Sequence, residues 1–351
     1  MFKRILAAVS AAVMIFTVGC SSNDVVYDDL SDYESSTPVA VESETEKKEE
    51  PTLFVNPLTG VADIKDETKT KQRPVAIMVN NVAVAQSRQT GLSGADIIYE
   101  TEVEGGITRL MAVYQDISAL DKIGTVRSAR YPYVDLALGH NAVYIHCGQD
   151  PTYCAPHLKD IDDLDIDTNS KGAKRISNGL NSEHTLYAIA GDLNEAINDK
   201  FNMKVASVPN WAEFTDEELA LDGGTATSVK VPFPAMTTGF TYDAQSGLYT
   251  RLSAGTVLTD YYTGEATQVK NVFILLTSIT TYPDGEHRKV ALESGKGYYI
   301  TNGTVQEINW SKGASTNGFK FTDKSGKEIP VSAGKSWVCI ANKSTCNPTI
   351  Q

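Results

Sequence analysis

The chain is poor in positive charge, and it lacks the short motifs of several common enzyme classes. Its 351 residues contain 31 Lys and Arg against 44 Asp and Glu, which gives a net charge of −13. Affinity for nucleic acids comes mainly from cationic groups placed on phosphates, so this balance predicts no nucleic-acid partner. An acidic surface is also repelled by anionic lipid headgroups, so any membrane attachment must come from another feature.

Signatures of nucleophilic, nucleotide-dependent and zinc-dependent catalysis are missing. The sequence contains no G-x-S-x-G, no G-x-x-x-x-G-K-[ST] and no H-E-x-x-H. Five possible metal ligands fall within eighteen positions, namely His140, His146, Cys147, Cys154 and His157. However, no second short Cys/His pair flanks them at zinc-finger spacing. The sequence therefore predicts neither a metal site nor a cofactor.

The first twenty residues contain the apolar run in the sequence that predicts export and membrane attachment. Lys3 and Arg4 precede an apolar segment from Ile5 to Phe16, which is too short to span a bilayer permanently. This pattern predicts a signal peptide over residues 1–19. The run ends in Thr17-Val18-Gly19-Cys20, which looks like a bacterial lipobox. We therefore expect Cys20 to become the lipid-modified N-terminus, with palmitate-like acyl chains, on the extracytoplasmic face of the cell membrane.

The next segment is acidic and has no apolar period. Residues 21–50 contain ten acids against Lys47 and Lys48. Such a segment cannot bury enough apolar surface to offset the entropy of ordering. Residues 20–50 are therefore interpreted as the lipidated cysteine followed by a disordered acidic linker.

The four remaining cysteines form two evenly spaced pairs. Cys147 and Cys154 are seven positions apart, and so are Cys339 and Cys346. An even number of cysteines in an exported chain is typical of disulfides. Of the three possible connectivities, the two local pairs, Cys147–Cys154 and Cys339–Cys346, are favoured. The alternative is four unpaired thiols that pack as small apolar residues.

Apolar periodicity predicts an α+β fold, with a mixed α/β N-terminal domain over residues 51–205 and a mainly antiparallel β C-terminal domain over residues 229–351. Residues 206–228 lack a period and are interpreted as the connection between the two domains. Ser182 is expected to cap a helix whose apolar stripe includes Leu186, Ile189, Leu193 and Ile197. Hairpin turns are predicted at residues 244–247 and 302–303.

Several sequence segments resemble the YerB family of bacterial lipoproteins. They include residues 56–60 (NPLTG), 73–81 (RPVAIMVNN), 95–100 (ADIIYE), 124–130 (GTVRSAR), 308–312 (INWSK) and 334–337 (GKSW). The resemblance implies an envelope lipoprotein with an α/β front half and a β-rich back half, and it supplies no reaction. His146 is retained as a ligand-binding candidate, although the chain departs from the family pattern around this residue.

Charged residues in the N-terminal half define the other ligand-binding candidates. Glu100, Glu102 and Glu104 alternate along a predicted strand, so all three carboxylates should point to one face. Arg109 should lie across from them if Gly105-Gly106 turns the chain. Arg127 and Arg130 are three positions apart, a spacing that suits a grip on a carboxylate or phosphate. Asn80 and Asn81 end the strand that follows Pro74. Arg130 is favoured over Arg127 because it adjoins the predicted helix.

Three functions remain open for these residues. The preferred hypothesis is a lipid-anchored protein that binds or regulates a cell-envelope component, either peptidoglycan or an envelope protein. One alternative is a wall glycan or peptide hydrolase or transferase with Glu100 or Glu102 as acid/base. The other is a structural envelope protein without a specific ligand, in which the acids and arginines pair with each other. Trp310 and Trp337 could stack on sugar, but their alternating strands favour core packing.

Overall fold

The computed structural model describes residues 52–167 and 171–351. The predicted signal peptide, Cys20 and the acidic linker lie outside these residues. None of the helices in the described part of the chain is long and apolar enough to cross a bilayer.

The N-terminal half mixes short strands with helices. Its strands are β1 (Phe54–Val55), β2 (Ala62–Ile64), β3 (Val75–Asn80), β4 (Ile97–Glu102), β5 (Thr108–Tyr114), β6 (Lys122–Gly124), β7 (Val143–His146), β8 (Asp163–Asp165), β9 (Ala173–Arg175) and β10 (Leu186–Ile189). Its helices are α1 (Glu67–Thr70), α2 (Ala83–Gln86), α3 (Tyr131–Gly139), α4 (Ala155–Leu158) and α5 (Ala190–Lys200), with 3-10 turns at Leu92–Gly94, Glu104–Gly106 and Ser182–His184.

The C-terminal half consists mostly of antiparallel strands, so the predicted fold class is confirmed. The strands are β11 (Phe214–Thr215), β12 (Ser228–Phe233), β13 (Met236–Asp243), β14 (Leu248–Ser253), β15 (Thr256–Val257), β16 (Gln268–Val269), β17 (Asn271–Thr277), β18 (Ile279–Thr281), β19 (Arg288–Val290), β20 (Ser294–Thr301), β21 (Thr304–Ser311), β22 (Lys320–Thr322), β23 (Val331–Ser332), β24 (Ser336–Asn342) and β25 (Thr349–Ile350). The predicted turn at Asn302-Gly303 joins β20 to β21, and both residues have positive φ, as a two-residue hairpin turn requires.

A ten-stranded mixed sheet crosses the predicted interdomain connection. Its order is β22-β21-β20-β17-β24-β4-β5-β3-β7-β8. The halves meet where β24 pairs in parallel with β4, from Ser336 opposite Ile97 to Ile340 opposite Thr101. Residues 206–228 therefore do not separate two folded bodies. The described chain after residue 51 belongs to one compact unit, because strands 237 positions apart share a sheet.

A second sheet covers one face of the first. It has the order β15-β14-β13-β12-β25, with β16 also paired to β14, and all its pairings are antiparallel. Successive residues of β3 alternate between two apolar cores, since Ile77 and Val79 belong to one and Ala76 and Met78 to the other. The first core also holds the second sheet and α5, whereas the second core holds α3.

The predicted helix after Ser182 begins later than expected. Leu186–Ile189 is the strand β10, which pairs with both β6 and β9, and α5 begins at Ala190. The apolar spacing continues across the strand and the helix because both bury side chains in the same core. Strand pairing on two sides therefore overrides the helical pattern locally.

The predicted disulfides are not formed. All four cysteines in the described part of the chain are free thiols. Cys147 packs against the core that contains Ile77, whereas Cys154 lies in the core on the other face of the sheet. Cys339 and Cys346 share one core, where they act as buried apolar side chains. Trp310 and Trp337 are also buried, which is consistent with core packing.

Candidate functional site

Three arginines converge where residues 127–130 cross the end of the large sheet. The segment is held between β3 and the loop after β7, because Arg127 N donates to Met78 O over 3.1 Å and Ala129 N donates to Gly148 O over 2.9 Å. Arg109 approaches from β5, opposite Thr101 of β4, and its Nη1 donates to Ser128 O over 2.7 Å. We call the group of Arg109, Arg127 and Arg130 the arginine cluster.

Glu104 is the central anion of this cluster. Its Oε1 accepts from Arg109 Nη2 over 2.7 Å and its Oε2 accepts from Arg130 Nε over 2.9 Å, while Arg130 Nη2 also donates to Oε1. Burial alone would raise the pKa of Glu104. The hydrogen bond from Arg130 and the charges of both arginines outweigh burial and lower the pKa to about 2. Glu104 is therefore ionised at neutral pH.

The cluster has an excess of positive charge and becomes more open from Arg109 to Arg127. The side chains of Arg109, Arg130 and Arg127 are 5%, 14% and 24% exposed. Burial and the charge of Arg130 lower the pKa of Arg109 to about 10, so Arg109 remains cationic at neutral pH. The ion-pair partners of the three arginines are Glu104 and Glu183, so three guanidiniums are paired with two carboxylates.

Of the three arginines, Arg127 is the one most weakly bound to its acidic partner. Its Nη2 lies 3.2 Å from Glu183 Oε2, and its Nη1 donates to Glu183 O over the same distance. The Glu183 side chain is 55% exposed, so solvent screens this pair. Arg127 can therefore exchange its partner for a ligand anion at low cost, whereas Arg130 already holds Glu104 with two nitrogens. Of the two, Arg127 is therefore the guanidinium more available to an external anion.

The three acids of the predicted carboxylate row have separate partners. Glu102 ends β4, and its Oε1 accepts from Arg288 Nε over 2.7 Å. Glu104 lies beyond the strand in a 3-10 turn, so the alternation of side chains ends before it. Glu100 points into the core between the two sheets. Consequently these three acids do not line one open cleft.

Glu100 is fully buried in a polar network between the sheets. Its Oε1 accepts from Asn81 Nδ2, Thr108 Oγ1 and Thr238 Oγ1 over 3.0, 2.8 and 2.9 Å. Its Oε2 accepts from Trp337 Nε1 over 3.1 Å. With 0% exposure and four donors, this carboxyl group is fully hydrogen-bonded and closed to a substrate. The arrangement does not support Glu100 as a catalytic acid/base.

A buried arginine completes this network. Arg251 Nη2 donates to Asn81 Oδ1 over 2.9 Å, and its guanidinium lies 4.8 Å from the centre of the Trp337 ring. Burial lowers the pKa of Arg251, and the charge of Glu100 acts in the opposite direction. Sequence analysis missed Arg251 because it lies on a strand far along the chain from Glu100, and no local pattern links the two residues.

The remaining predicted residues also have internal partners. Asn80 Nδ2 lies 2.9 Å from His184 Nδ1, and Asn80 Oδ1 accepts from Val82 N. His146 is buried, with Nε2 3.0 Å from Asp163 Oδ2 and Nδ1 2.9 Å from Gly148 O. Both nitrogens of His146 thus face acceptors in the protein. In the described residues, no group of three or more His, Cys, Asp or Glu side chains is arranged to hold a metal ion.

Sequence reasoning also missed Glu183 as a partner of the arginine cluster. Nothing in its local pattern marks it, because it reaches Arg127 through the 3-10 turn at Ser182–His184, 56 positions away. The cluster therefore depends on the fold of two distant segments.

The fold and this polar site define a mixed-sheet protein of a family whose activity is unassigned. Family models match in two parts, "Protein of unknown function (DUF3048) N-terminal domain" over residues 58–204 and the corresponding C-terminal domain over residues 229–338. A protein of Bacillus subtilis (strain 168) named "Putative lipoprotein YerB" is 32% identical over 296 residues, covering 81% of this chain and 85% of that protein.

A solved structure extends this similarity to three dimensions. The crystal structure of YerB protein from Bacillus subtilis superposes with a TM-score of 0.71 at 29% identity, covering 84% of this chain and 99% of that one. The chain belongs to the YerB-like DUF3048 family. The two family models flank residues 206–228, although the structure joins both parts in one sheet.

Proposed function

We propose that this protein is a lipid-anchored envelope lipoprotein that binds an anionic group of a cell-envelope component through the arginine cluster. The signal-like N-terminus with Cys20 and the lipoprotein name of the relative support the anchor. The observation that carries the binding proposal is that three guanidiniums converge on two carboxylates, in a chain whose net charge is −13. Selectivity for an anion follows from this local excess of positive charge.

Arg127 is the ligand-binding residue in this proposal, and Arg109 and Arg130 add positive charge beside it. Glu104 fixes Arg109 and Arg130 with short hydrogen bonds, so their positive charges are already in place before a ligand arrives. A carboxylate or phosphate would replace the exposed Glu183 carboxylate at Arg127. Preorganised donors reduce the ordering that binding requires.

The test uses the mature chain with Cys20→Ala, which would remove the lipid, and soluble peptidoglycan fragments measured by calorimetry. Arg127→Ala should weaken binding by about 1.5–3 kcal/mol, the range for hydrogen bonds to charged groups. Lys324→Ala is the matched control, because it removes an exposed cation paired with Glu307 elsewhere on the surface. Equal affinity of the Arg127→Ala and parent proteins would contradict the proposal. Cleavage of the fragments would instead support the hydrolase alternative.

A further inference from the structure

Exposed apolar side chains lie on α2 and on residues 256–262, which comprise β15 and the segment after it. In the described part of the chain, six large apolar residues are at least 40% exposed, namely Leu53, Val55, Val84, Val257, Tyr261 and Tyr262. The last four belong to α2 and to residues 256–262, and Tyr261 N donates to Gln89 O over 2.8 Å, three residues after the end of α2. Exposed apolar residues that gather in one place mark interaction sites.

The two tyrosines are held in fixed positions by a buried aspartate. Asp260 Oδ1 accepts from Tyr262 N over 2.9 Å and from Thr90 Oγ1 over 2.9 Å, and Asp260 Oδ2 accepts from Gly91 N over 2.6 Å. The loop from the C-terminal half is thus clamped onto residues 89–91 of the N-terminal half. Rigid aromatic rings, 40% and 44% exposed, are presented to solvent at little entropic cost on binding.

Cations accompany both rings. The Arg88 guanidinium carbon lies 4.9 Å from the centre of the Tyr261 ring, and Lys122 Nζ lies 4.6 Å from the centre of the Tyr262 ring. The rings themselves meet edge to face, with centres 4.9 Å apart. We call Tyr261, Tyr262, Arg88 and Lys122 the tyrosine platform.

Residues 178–184 connect the tyrosine platform to the arginine cluster. Arg88 Nε donates to Asn178 O over 2.7 Å, and Asn178 Nδ2 donates to His184 O over 2.8 Å. The neighbouring Glu183 is the partner of Arg127. Between them, Asn181, Ser182 and Glu183 are exposed, so polar side chains line the surface that joins the two features.

From this arrangement we infer that the ligand is an anionic glycan strand of several sugar rings, which contacts the tyrosine platform with its sugar faces and the arginine cluster with a carboxylate or phosphate. This inference rests on the proposed function and adds the class of ligand. The C–H groups of a sugar ring pack on the exposed parts of the tyrosine rings, and Arg88 suits an additional anionic group along the glycan strand. Lys122 is already paired with Asp121.

A glycan strand fits these observations better than a lipid bilayer does. A bilayer contacts an extended plane, so it would bring many acids of a chain with net charge −13 close to anionic headgroups. A glycan strand would contact only the tyrosine platform, residues 178–184 and the arginine cluster. The polar connecting surface also suits a hydrated polymer.

The test compares two lengths of ligand on the Cys20→Ala mature chain. The probes are long peptidoglycan glycan strands, single disaccharide-peptide units and a phosphate-bearing polysaccharide, with affinities measured by calorimetry. Tyr261→Ala with Tyr262→Ala should weaken binding of at least one polymer about tenfold or more and change binding of the disaccharide unit by less than twofold. The matched control, Tyr261→Phe with Tyr262→Phe, keeps the rings and should keep polymer affinity within about twofold.

The outcomes separate the two proposals. If Arg127→Ala weakens binding of every probe while the double alanine variant binds polymers like the parent, the proposed function stands and the glycan-strand inference is wrong. If the parent binds none of the probes, both fail. A tyrosine-dependent pelleting of the protein with phosphatidylglycerol vesicles, without polymer binding, would assign the platform to the membrane and overturn the inference. The polymer that loses affinity in the alanine variant identifies whether the anionic group is a carboxylate or a phosphate.

Discussion

Trp337 donates its indole N–H to Glu100 over 3.1 Å, although 237 positions separate the two residues in sequence. Trp337 lies in β24 and Glu100 in β4, the two strands that join the halves of the chain in one sheet. The same carboxylate accepts from Thr238 of the second sheet. Glu100 therefore links β4, β24 and the second sheet. Because it is buried, we interpret its role as structural.

Replacing Glu100 by Ala should destabilise the fold strongly. The variant would leave buried donors of Asn81, Thr108, Thr238 and Trp337 without this acceptor, and it would remove the negative charge near Arg251. Breaking a buried charged network in this way costs about 3–5 kcal/mol. Urea unfolding measures the loss, with the exposed Glu217→Gln as control. A loss below about 1 kcal/mol would contradict the structural role.

Local patterns predicted several of the longer strands but not how they pair. The apolar run at Val75–Val79 and the turn at Asn302-Gly303 are local signals, and both elements form where expected. The pairing of β4 with β24 depends on segments at opposite ends of the chain, which no local period encodes. For that reason two sequence domains were predicted where one sheet is formed.

The candidate site was predicted in part for the same reason. The turn at Gly105-Gly106 brings β5 back along β4, which places Arg109 near Glu104 as expected from local sequence. The separation of Glu100 from Glu102 and Glu104 follows from partners supplied by β13, β19 and β24. Those partners could not be assigned before the topology was known.

Because Glu104 is ionised within the arginine cluster, the free energy of unfolding should depend on pH in the acid range. The pKa of Glu104 in the folded chain is about 2, below the usual value of about 4.5. As the pH falls, Glu104 therefore binds a proton in the unfolded state before it does so in the folded state. The stabilisation that ionised Glu104 gives to the fold is complete above about pH 4.5 and is lost as the pH falls toward 2. Glu104→Gln should flatten that part of a plot of unfolding free energy against pH. An unchanged slope between pH 4.5 and 2 in the variant would show that Glu104 is not the group responsible.

The cysteines in the described residues should titrate as four thiols. Burial raises the pKa of Cys147 to about 11 and that of Cys346 to about 11, so little thiolate exists at neutral pH in the folded chain. Cys20→Ala protein, purified and denatured without reductant, should release about four equivalents of thiol, and the native protein should react slowly. Finding two equivalents or none would show that disulfides form in the protein as isolated.

Membrane retention should depend on Cys20. The apolar segment before it and the lipoprotein name of the relative motivate this expectation. Cys20→Ala should move the protein from the membrane fraction to the soluble fraction, because two acyl chains supply stable anchoring and none would remain. Thermal unfolding of the released protein should be unchanged. Retention of the variant in membranes washed at high salt would contradict a lipid anchor at this position.

The three arginines of the cluster should differ in their effects on stability in the order of their burial. Arg127→Ala breaks a pair with an exposed Glu183 and should cost about 1 kcal/mol or less. Arg130→Ala leaves Glu104 paired with Arg109 and should cost about 1.5–3 kcal/mol, as for a lost hydrogen bond to a charged group.

Arg109→Ala should be the most damaging of the three. It removes a side chain that is 5% exposed and that bridges Glu104 to the carbonyl of Ser128, so a loss of about 3–5 kcal/mol is expected. Binding should follow the opposite order, since Arg127 is the guanidinium most accessible to a ligand anion. Unfolding free energies and fragment affinities measured on the same three variants check both orders. If Arg127→Ala lowers stability as much as Arg109→Ala does, Arg127 is a structural residue and the binding site must lie elsewhere.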